Sequence, residues 1–299
     1  MTSRGKEIVQ TIRYPATANL MIDSTDGGYI NGVMNPTASS GKFTITRPSN
    51  LQNGFFTRVA ATEVVLNWSL PNISASVPGT ITSTQAIDIA TVGVVTFQIA
   101  DGVYNCQQAI EAFITLVNAS GNGITLTATS VGGNCVLTAV GNNFRFPAGA
   151  GFMTDIGFPT GGPYTNTLSA ALTTVAAGFG VLQQYKYIDF VSPQLTYCQD
   201  VKDASTNIQV RDVLCRWYFA FDTDLPVTDG LGFPIYMGYV PFSVRRLYNP
   251  PKQINWNPSL PVGNLSFEVW ATPLDPTQPA VLLDNNYFEW AMTLQLSEN

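Results

Sequence analysis

Phe288-Glu-Trp-Ala-Met-Thr-Leu-Gln-Leu296 is apolar at 288, 290, 292, 294 and 296, with Glu289, Ala291, Thr293 and Gln295 between. Side chains of a strand point alternately to its two faces, so this pattern predicts a strand with one face in a core and the other outside. Similar short runs, rich in β-branched and aromatic residues, recur upstream at Ile8–Tyr14, Lys42–Arg47, Arg58–Leu70, Tyr187–Phe190, Val210–Phe221, Tyr236–Tyr248 and Leu265–Trp270. The 25 glycines and 19 prolines recur all along the chain between such runs. This is the pattern of a sandwich or barrel of short strands. Val210–Phe221 carries Arg211, Asp212 and Arg216, charges that must face water or a neighbouring subunit. After Pro250-Pro251, Lys252-Gln-Ile-Asn-Trp256 alternates again. The spacing places Ile254 and Trp256 on an inward face and Lys252 outside.

The middle of the chain differs. Between Pro71 and Gln184 the charged residues are Arg145, Asp88, Asp101, Glu111 and Asp155 alone. Here lies the one convincing helix. Asn105 with Gln108 three residues on predicts a capping box; Ala109, Ile110, Phe113, Leu116 and Val117 form the apolar face, and Gly121-Asn-Gly123 ends it. Strands are expected at Ile124–Thr129, Asn134–Val140 and Asn143–Phe146, with a helical turn near Met153–Phe158. A unit of this kind reads as an insertion. The expected organisation is residues 1–79 plus 185–299 as one sandwich, and 80–184 as an inserted, β-rich (α+β) subdomain. Eight flanking strands suit a single jelly roll, and helices that fail to alternate with strands argue against a parallel α/β sheet.

Charge sets the functional limits. Only 11% of the 299 residues are Asp, Glu, Lys or Arg, against about 25% in ordinary soluble proteins. Such a surface is weakly protected against self-association: either it is built from polar Ser, Thr, Asn and Gln, or, the favoured reading, much of it is covered by further copies. The net charge of −6 gives no footprint for direct nucleic-acid binding, and Arg4, Lys6 and Arg13 read as an ordinary terminus. Histidine is absent, so Ser-His-Asp and Cys-His nucleophile systems and imidazole metal ligands are excluded. No phosphate-binding glycine loop or nucleophile elbow occurs. Asp222-Thr-Asp224 with Asp229-Gly230 lacks EF-hand spacing and reads as an acidic turn; Asp200 and Asp203, beside Lys202, read as a solvated loop. Sequons stand at Asn67, Asn72, Asn118 and Asn264. The cysteines at 106, 135, 198 and 215 form no Cys-x-x-Cys pair and read as buried, reduced hydrophobes. No apolar run spans a membrane and the first residues lack a signal-peptide core, so a soluble, unexported chain is expected. No catalytic, cofactor-binding or metal-binding residue is assigned, and the chain is not expected to be an enzyme. The aromatic residues Trp217, Tyr218, Phe219 and Phe221, with Tyr236, Tyr239 and Phe242, fit alternate strand faces, with sandwich core as the default use and sugar stacking as the other.

The C-terminal region carries a resemblance. Arg245-Arg-Leu-Tyr-Asn-Pro-Pro-Lys-Gln-Ile-Asn-Trp256, Pro261-Val-Gly-Asn-Leu-Ser-Phe267 and Glu289-Trp-Ala-Met-Thr-Leu-Gln-Leu-Ser-Glu298 resemble the last strands of penton and minor capsid proteins of virophages, polinton-like viruses and related dsDNA viruses. Phe97-Gln-Ile-Ala-Asp-Gly-Val-Tyr-Asn105 with the following helix, and Gly157-Phe-Pro159, resemble a strand, glycine-tyrosine turn and helix unit of such proteins. The likeness covers about 97–160 and 187–299. It implies a jelly-roll virion protein, a penton forming a homopentamer at the icosahedral vertex. Its implied partners are its own copies, capsomers of the major capsid protein and a host receptor. Another capsid position, or a carbohydrate- or receptor-binding jelly roll, is the alternative.

Overall fold

The computed structural model describes residues 17–30, 33–34, 38–46, 56–77, 80–149, 151–171, 182, 185–196, 213–219, 228–233, 241–255, 264–273 and 279–298. Eight long strands build two facing sheets: β1 Thr17–Asp23, β2 Lys42–Thr46, β3 Arg58–Trp68, β4 Tyr185–Val191, β5 Val213–Tyr218, β6 Phe242–Leu247, β7 Asn264–Pro273 and β8 Phe288–Ser297. The first sheet runs β1-β8-β3-β6 and the second β2-β7-β4-β5, all antiparallel. Within these sheets β1 pairs with β8, β2 with β7, β3 with β6 and β4 with β5. The chain therefore behaves as one long antiparallel ribbon rolled into a sandwich, the jelly roll. Short strands extend it: Ile254–Asn255 pairs with β3, and Val281–Leu282 with β7.

The decisive C-terminal alternation behaves as expected. Phe288, Trp290, Met292, Leu294 and Leu296 are all buried in the sandwich core. Trp290 is its hub, with its ring centroid 5.6 Å from Phe43, 5.0 Å from Phe190 and 5.8 Å from Phe267. Its indole Nε1 donates to the Ser40 carbonyl at 2.7 Å, so the polar edge of the ring is satisfied where water is excluded. On β3 the inward residues are Val59, Ala61, Val64, Leu66 and Trp68. The phase slips by one at Thr62, where the register against β8 jumps from Glu63–Thr293 to Ala61–Leu294. Thr62 is the extra residue of a bulge, and its hydroxyl donates to Thr293 O at 3.1 Å.

One strand was not read from the sequence, and two calls fall wholly or partly outside the described residues. The first sandwich strand among the described residues is Thr17–Asp23, which sequence patterning did not assign; Ile8–Tyr14 lies outside the described residues. Thr-Ala-Asn-Leu-Met-Ile-Asp turns Ala18, Leu20 and Ile22 toward the core, but a 77% exposed Met21 hides the alternation. The proposed inward pair Ile254/Trp256 is described only at Ile254, which is buried against Val59; Trp256 is outside the described residues. Lys252 is exposed as expected, and its Nζ donates to Val213 O at 3.1 Å.

Between β3 and β4 the helix forms as its sequence requires. This helix, α1 (Cys106–Ala119), is capped by Asn105, whose side chain accepts from Gln108 N while the Gln108 side chain accepts from Asn105 N. Ala109, Ile110, Phe113 and Val117 pack into a second buried cluster. Around them lie two antiparallel three-stranded sheets, from Thr84–Ile89, Gly93–Gln98 and Phe144–Arg145, and from Ile124–Val131, Asn134–Gly141 and Thr167–Ala171. A second helix, α2 (Phe152–Ile156), adds Phe152, Met153 and Ile156. Gly151, just before it, has φ +121°, and a Cβ there would sit 2.1 Å from Thr84 O; only glycine fits. Leu231 and Phe233, distant in sequence, complete this cluster.

Candidate assembly surfaces

The outward face of the second sheet is built around a buried charge. Asp189 on β4 stands opposite Arg216 of β5 and Trp270 of β7. It is 2% exposed, and a carboxylate that deep needs a partner. Arg216 supplies a fork: Nε donates to Oδ1 at 2.6 Å and Nη2 to Oδ2 at 3.0 Å. Burial works against the guanidinium charge, but the bonds to Asp189 and Tyr218 together with the nearby Asp189 charge outweigh it and hold Arg216 above its ordinary value. The guanidinium lies 3.7 Å from the centroid of the Tyr187 ring, and Tyr218 meets that ring edge-on at 5.5 Å. Trp270 Nε1 donates to Glu268 at 2.9 Å, and Glu268 faces Lys42 at 4.0 Å. Lys186 stands exposed at the irregularity between Tyr185 and Tyr187. Tryptophan, tyrosine and arginine are the residues that dominate protein–protein hot spots, and here they share one face.

The outward face of the first sheet is of another kind. Two rows cross it in register, Met21-Thr293-Glu63-Leu247 and Asp23-Ala291-Val65-Arg245. Small residues in the middle leave a depression of about 360 Å³ rimmed by Met21, Asp23, Asp26 and Glu63. Met21 and Leu247 are 77% and 64% exposed. Arg245 forks onto Glu63, an exposed pair of little energetic weight. At one end of this sheet a cleft of about 440 Å³ lies beside Trp68, Phe242 and Tyr287, with Asn67, Ser243 and Glu289 on its rim.

A second carboxylate clamp sits between β3 and β4. Asp88 pairs in register with Arg145, which approaches its Oδ2 at 2.8 Å, and the Tyr164 hydroxyl donates to the same oxygen at 2.9 Å. Burial of Asp88 raises its pKa, and the bonds from Arg145 and Tyr164 reverse this, leaving it below the ordinary carboxylate value. The sparse charges of this segment hinted at the Asp88–Arg145 pair, since a lone arginine among apolar strands needs an acid. Nothing in the sequence pointed to Tyr164 or Tyr187.

The acidic turn resolves at Asp229. Its carboxylate accepts from Gln107 N at 3.0 Å in the first turn of α1, and from the amides of Leu231 and Phe233 at 3.0 and 2.9 Å. It therefore ties the segment after β5 to the helix. Asp200, Lys202, Asp203, Asp222 and Asp224 lie outside the described residues. Among the described residues, no group of three His, Cys, Asp or Glu side chains is placed to hold a metal, and no helix is long and apolar enough to cross a membrane. Cys106, Cys135 and Cys215 are buried and free; Cys198 is not described. Of the sequons, Asn72 is buried, bonding Tyr104 and Leu182, and Asn118 clamps the Leu126 backbone. The buried Asn72 amide is not presented for glycosylation in the folded chain.

No family profile and no curated protein sequence matches the chain. Among solved structures, it is similar to the mavirus penton protein, with 11% identity over 96% of this chain and 100% of that one, at a TM-score of 0.46. It is also similar to a chain of the Sputnik virophage seen by cryo-electron microscopy, with 11% identity over 95% and 98% of the two chains, at a TM-score of 0.41.

Proposed function

We propose that this chain is a structural protein of an icosahedral virion, a penton subunit that assembles as a homopentamer at the five-fold vertex. The observation that carries the reading is the eight-strand roll, an architecture shared by viral capsid and lectin domains, in a chain with 11% charged residues. The charge count favours the capsid use. A ring subunit gives up roughly 800 Å² to each stable neighbour, and interface cores are depleted in charge. In this reading residues 1–79 and 185–299 form the roll, and 80–184 form an outer subdomain whose buried cluster is completed by Ile73, Leu231 and Phe233 from the flanking segments. The partners are identical copies, capsomers of the major capsid protein and a host receptor. The work is assembly, inside the host cell, with no catalysis and no cofactor. Mass photometry of the purified chain tests it: a species of five times 32.3 kDa is expected. A chain that stays monomeric at high concentration, or that closes with another symmetry, overturns the vertex assignment.

The cleft beside Tyr287 favours the second reading, a carbohydrate-binding roll. Its exposed ring, amide, hydroxyl and carboxylate are the groups that grip a sugar. Glycan-array binding by a chain that forms no ring would move the assignment there.

A further inference from the structure

A ring built from one kind of subunit needs two different, complementary patches on each copy, because head-to-tail contacts never place a patch against itself. The sandwich supplies two such patches, pointing in opposite directions. We propose that the ring closes with the outward face of the first sheet of one copy seated on the outward face of the second sheet of the next. The proposal rests on the pentamer reading and names the surfaces that reading requires.

Three observations support it. The first is charge. Among the described residues, the first-sheet face carries Asp23, Asp26, Glu63 and Glu289 against Arg58 and Arg245, four acids less two bases, or −2. Among the described residues, the second-sheet face carries Lys42, Lys186 and Arg216 against Asp189 and Glu268, three bases less two acids, or +1. Opposite signs steer these faces together, and two identical first-sheet faces would oppose their carboxylates. The second is shape and chemistry. One face offers a depression of about 360 Å³ with the exposed thioether of Met21 on its rim; the other offers the exposed ring of Tyr218 beside the half-buried rings of Tyr187 and Trp270. Methionine sulfur against an aromatic edge is a favourable pairing. Asp189 already holds both guanidinium bonds, so covering this face strands no bare carboxylate. The third is size. The strands of each sheet are from five to eleven residues long, so four of them about 4.8 Å apart span roughly 19 by 25 Å, more than half of the ~800 Å² that each partner gives to a standard interface.

The test uses the full chain with Met21→Lys on the first-sheet face and Tyr218→Ala on the second. Both side chains are exposed, so each variant should melt as wild type does; Leu247→Lys and Lys186→Glu replace either one that folds poorly. Each change should weaken the contact about 30-fold or more, as loss of a hot spot does, and remove the ring in sedimentation velocity. Mixed together, the two variants should form a dimer and nothing larger, because one intact face from each can still meet. A ring that survives either change overturns the surface assignment while the pentamer stands. Loss of both rings without dimers in the mixture overturns the head-to-tail pairing. A wild-type chain that forms no ring overturns the pentamer reading, and this inference with it.

Discussion

The molecule uses one device twice, with different finishing. In the sandwich, Asp189 is gripped by both nitrogens of the Arg216 fork, and tyrosine rings lie beneath and beside the guanidinium. Between β3 and β4, Asp88 takes Arg145 and a tyrosine hydroxyl on the same oxygen, while that guanidinium stands 4.5 Å from the Tyr164 ring. In the second clamp the tyrosine's polar end serves the carboxylate. In the first, the rings of Tyr187 and Tyr218 serve the guanidinium and leave an aromatic face outward. The same pairing of an acid on a central strand with an arginine on its neighbour thus leaves each guanidinium 36% exposed, with the tyrosine bonding the acid in one place and flanking the arginine in the other. The two regions also have separate buried clusters, centred on Trp290 and Phe113.

The largest expected effect tests that separation. Trp290→Ala should cost about 3–5 kcal/mol, a large share of a domain's ~5–15. Hydrogen exchange should show the loss at the amides of β3, β7 and β8 and leave those of α1 protected. Equal loss in both places would make the two clusters one cooperative unit.

Arg216→Met should cost about 1–3 kcal/mol in denaturant titrations. It strands a buried carboxylate, though the guanidinium's 36% exposure shows that water reaches the pair. Arg145→Met should cost less, because Tyr164 still bonds Asp88. If the two variants lose the same amount, the tyrosine hydroxyl adds nothing and the contrast fails.

Acid sharpens the comparison further. The pKa of Asp88 is lowered in the fold, so its contribution to stability is complete above the unfolded value of about 3.9 and is lost as pH falls through the folded value. Melting curves from pH 7 down to pH 3 should therefore show an acid-labile part that Asp88→Asn removes. An unchanged acid limb in that variant would assign the lability elsewhere.

The smallest effect concerns the thiols. Burial raises Cys106 well above an ordinary thiol, Cys135 to about 11 and Cys215 to about 12. Iodoacetamide at pH 8 should leave all three unmodified in the native chain and alkylate four cysteines after denaturation under non-reducing conditions. Finding two free groups would reveal a bridge.

Much of this was legible from local pattern. Period-two runs such as Phe288–Leu296 and the capping box at Asn105 depend on neighbours two to four residues away, so the sequence carries them directly. The bulge at Thr62 shifted the phase of β3 without hiding the strand. Thr17–Asp23 was missed because it is a strand by virtue of its partner: Ala18, Leu20 and Ile22 alternate weakly, and β8 supplies the ladder. The two outward faces were beyond sequence reading altogether. Met21 and Leu247, or Tyr187 and Trp270, share a face only because sheet register crosses strands far apart in the chain.

By itself, then, the sequence determined the class of fold, the place of the helix and the poverty of charge, since composition and short-range periodicity report burial one residue at a time. Tertiary structure decided the strand order, the docking of Leu231 and Phe233 into the second cluster, the cap that Asp229 places on α1, and which aromatic rings face outward. Each of these depends on pairing between residues far apart in the chain. A long-range pairing is settled by the summed packing and hydrogen bonding of whole strands, which no single stretch of sequence records.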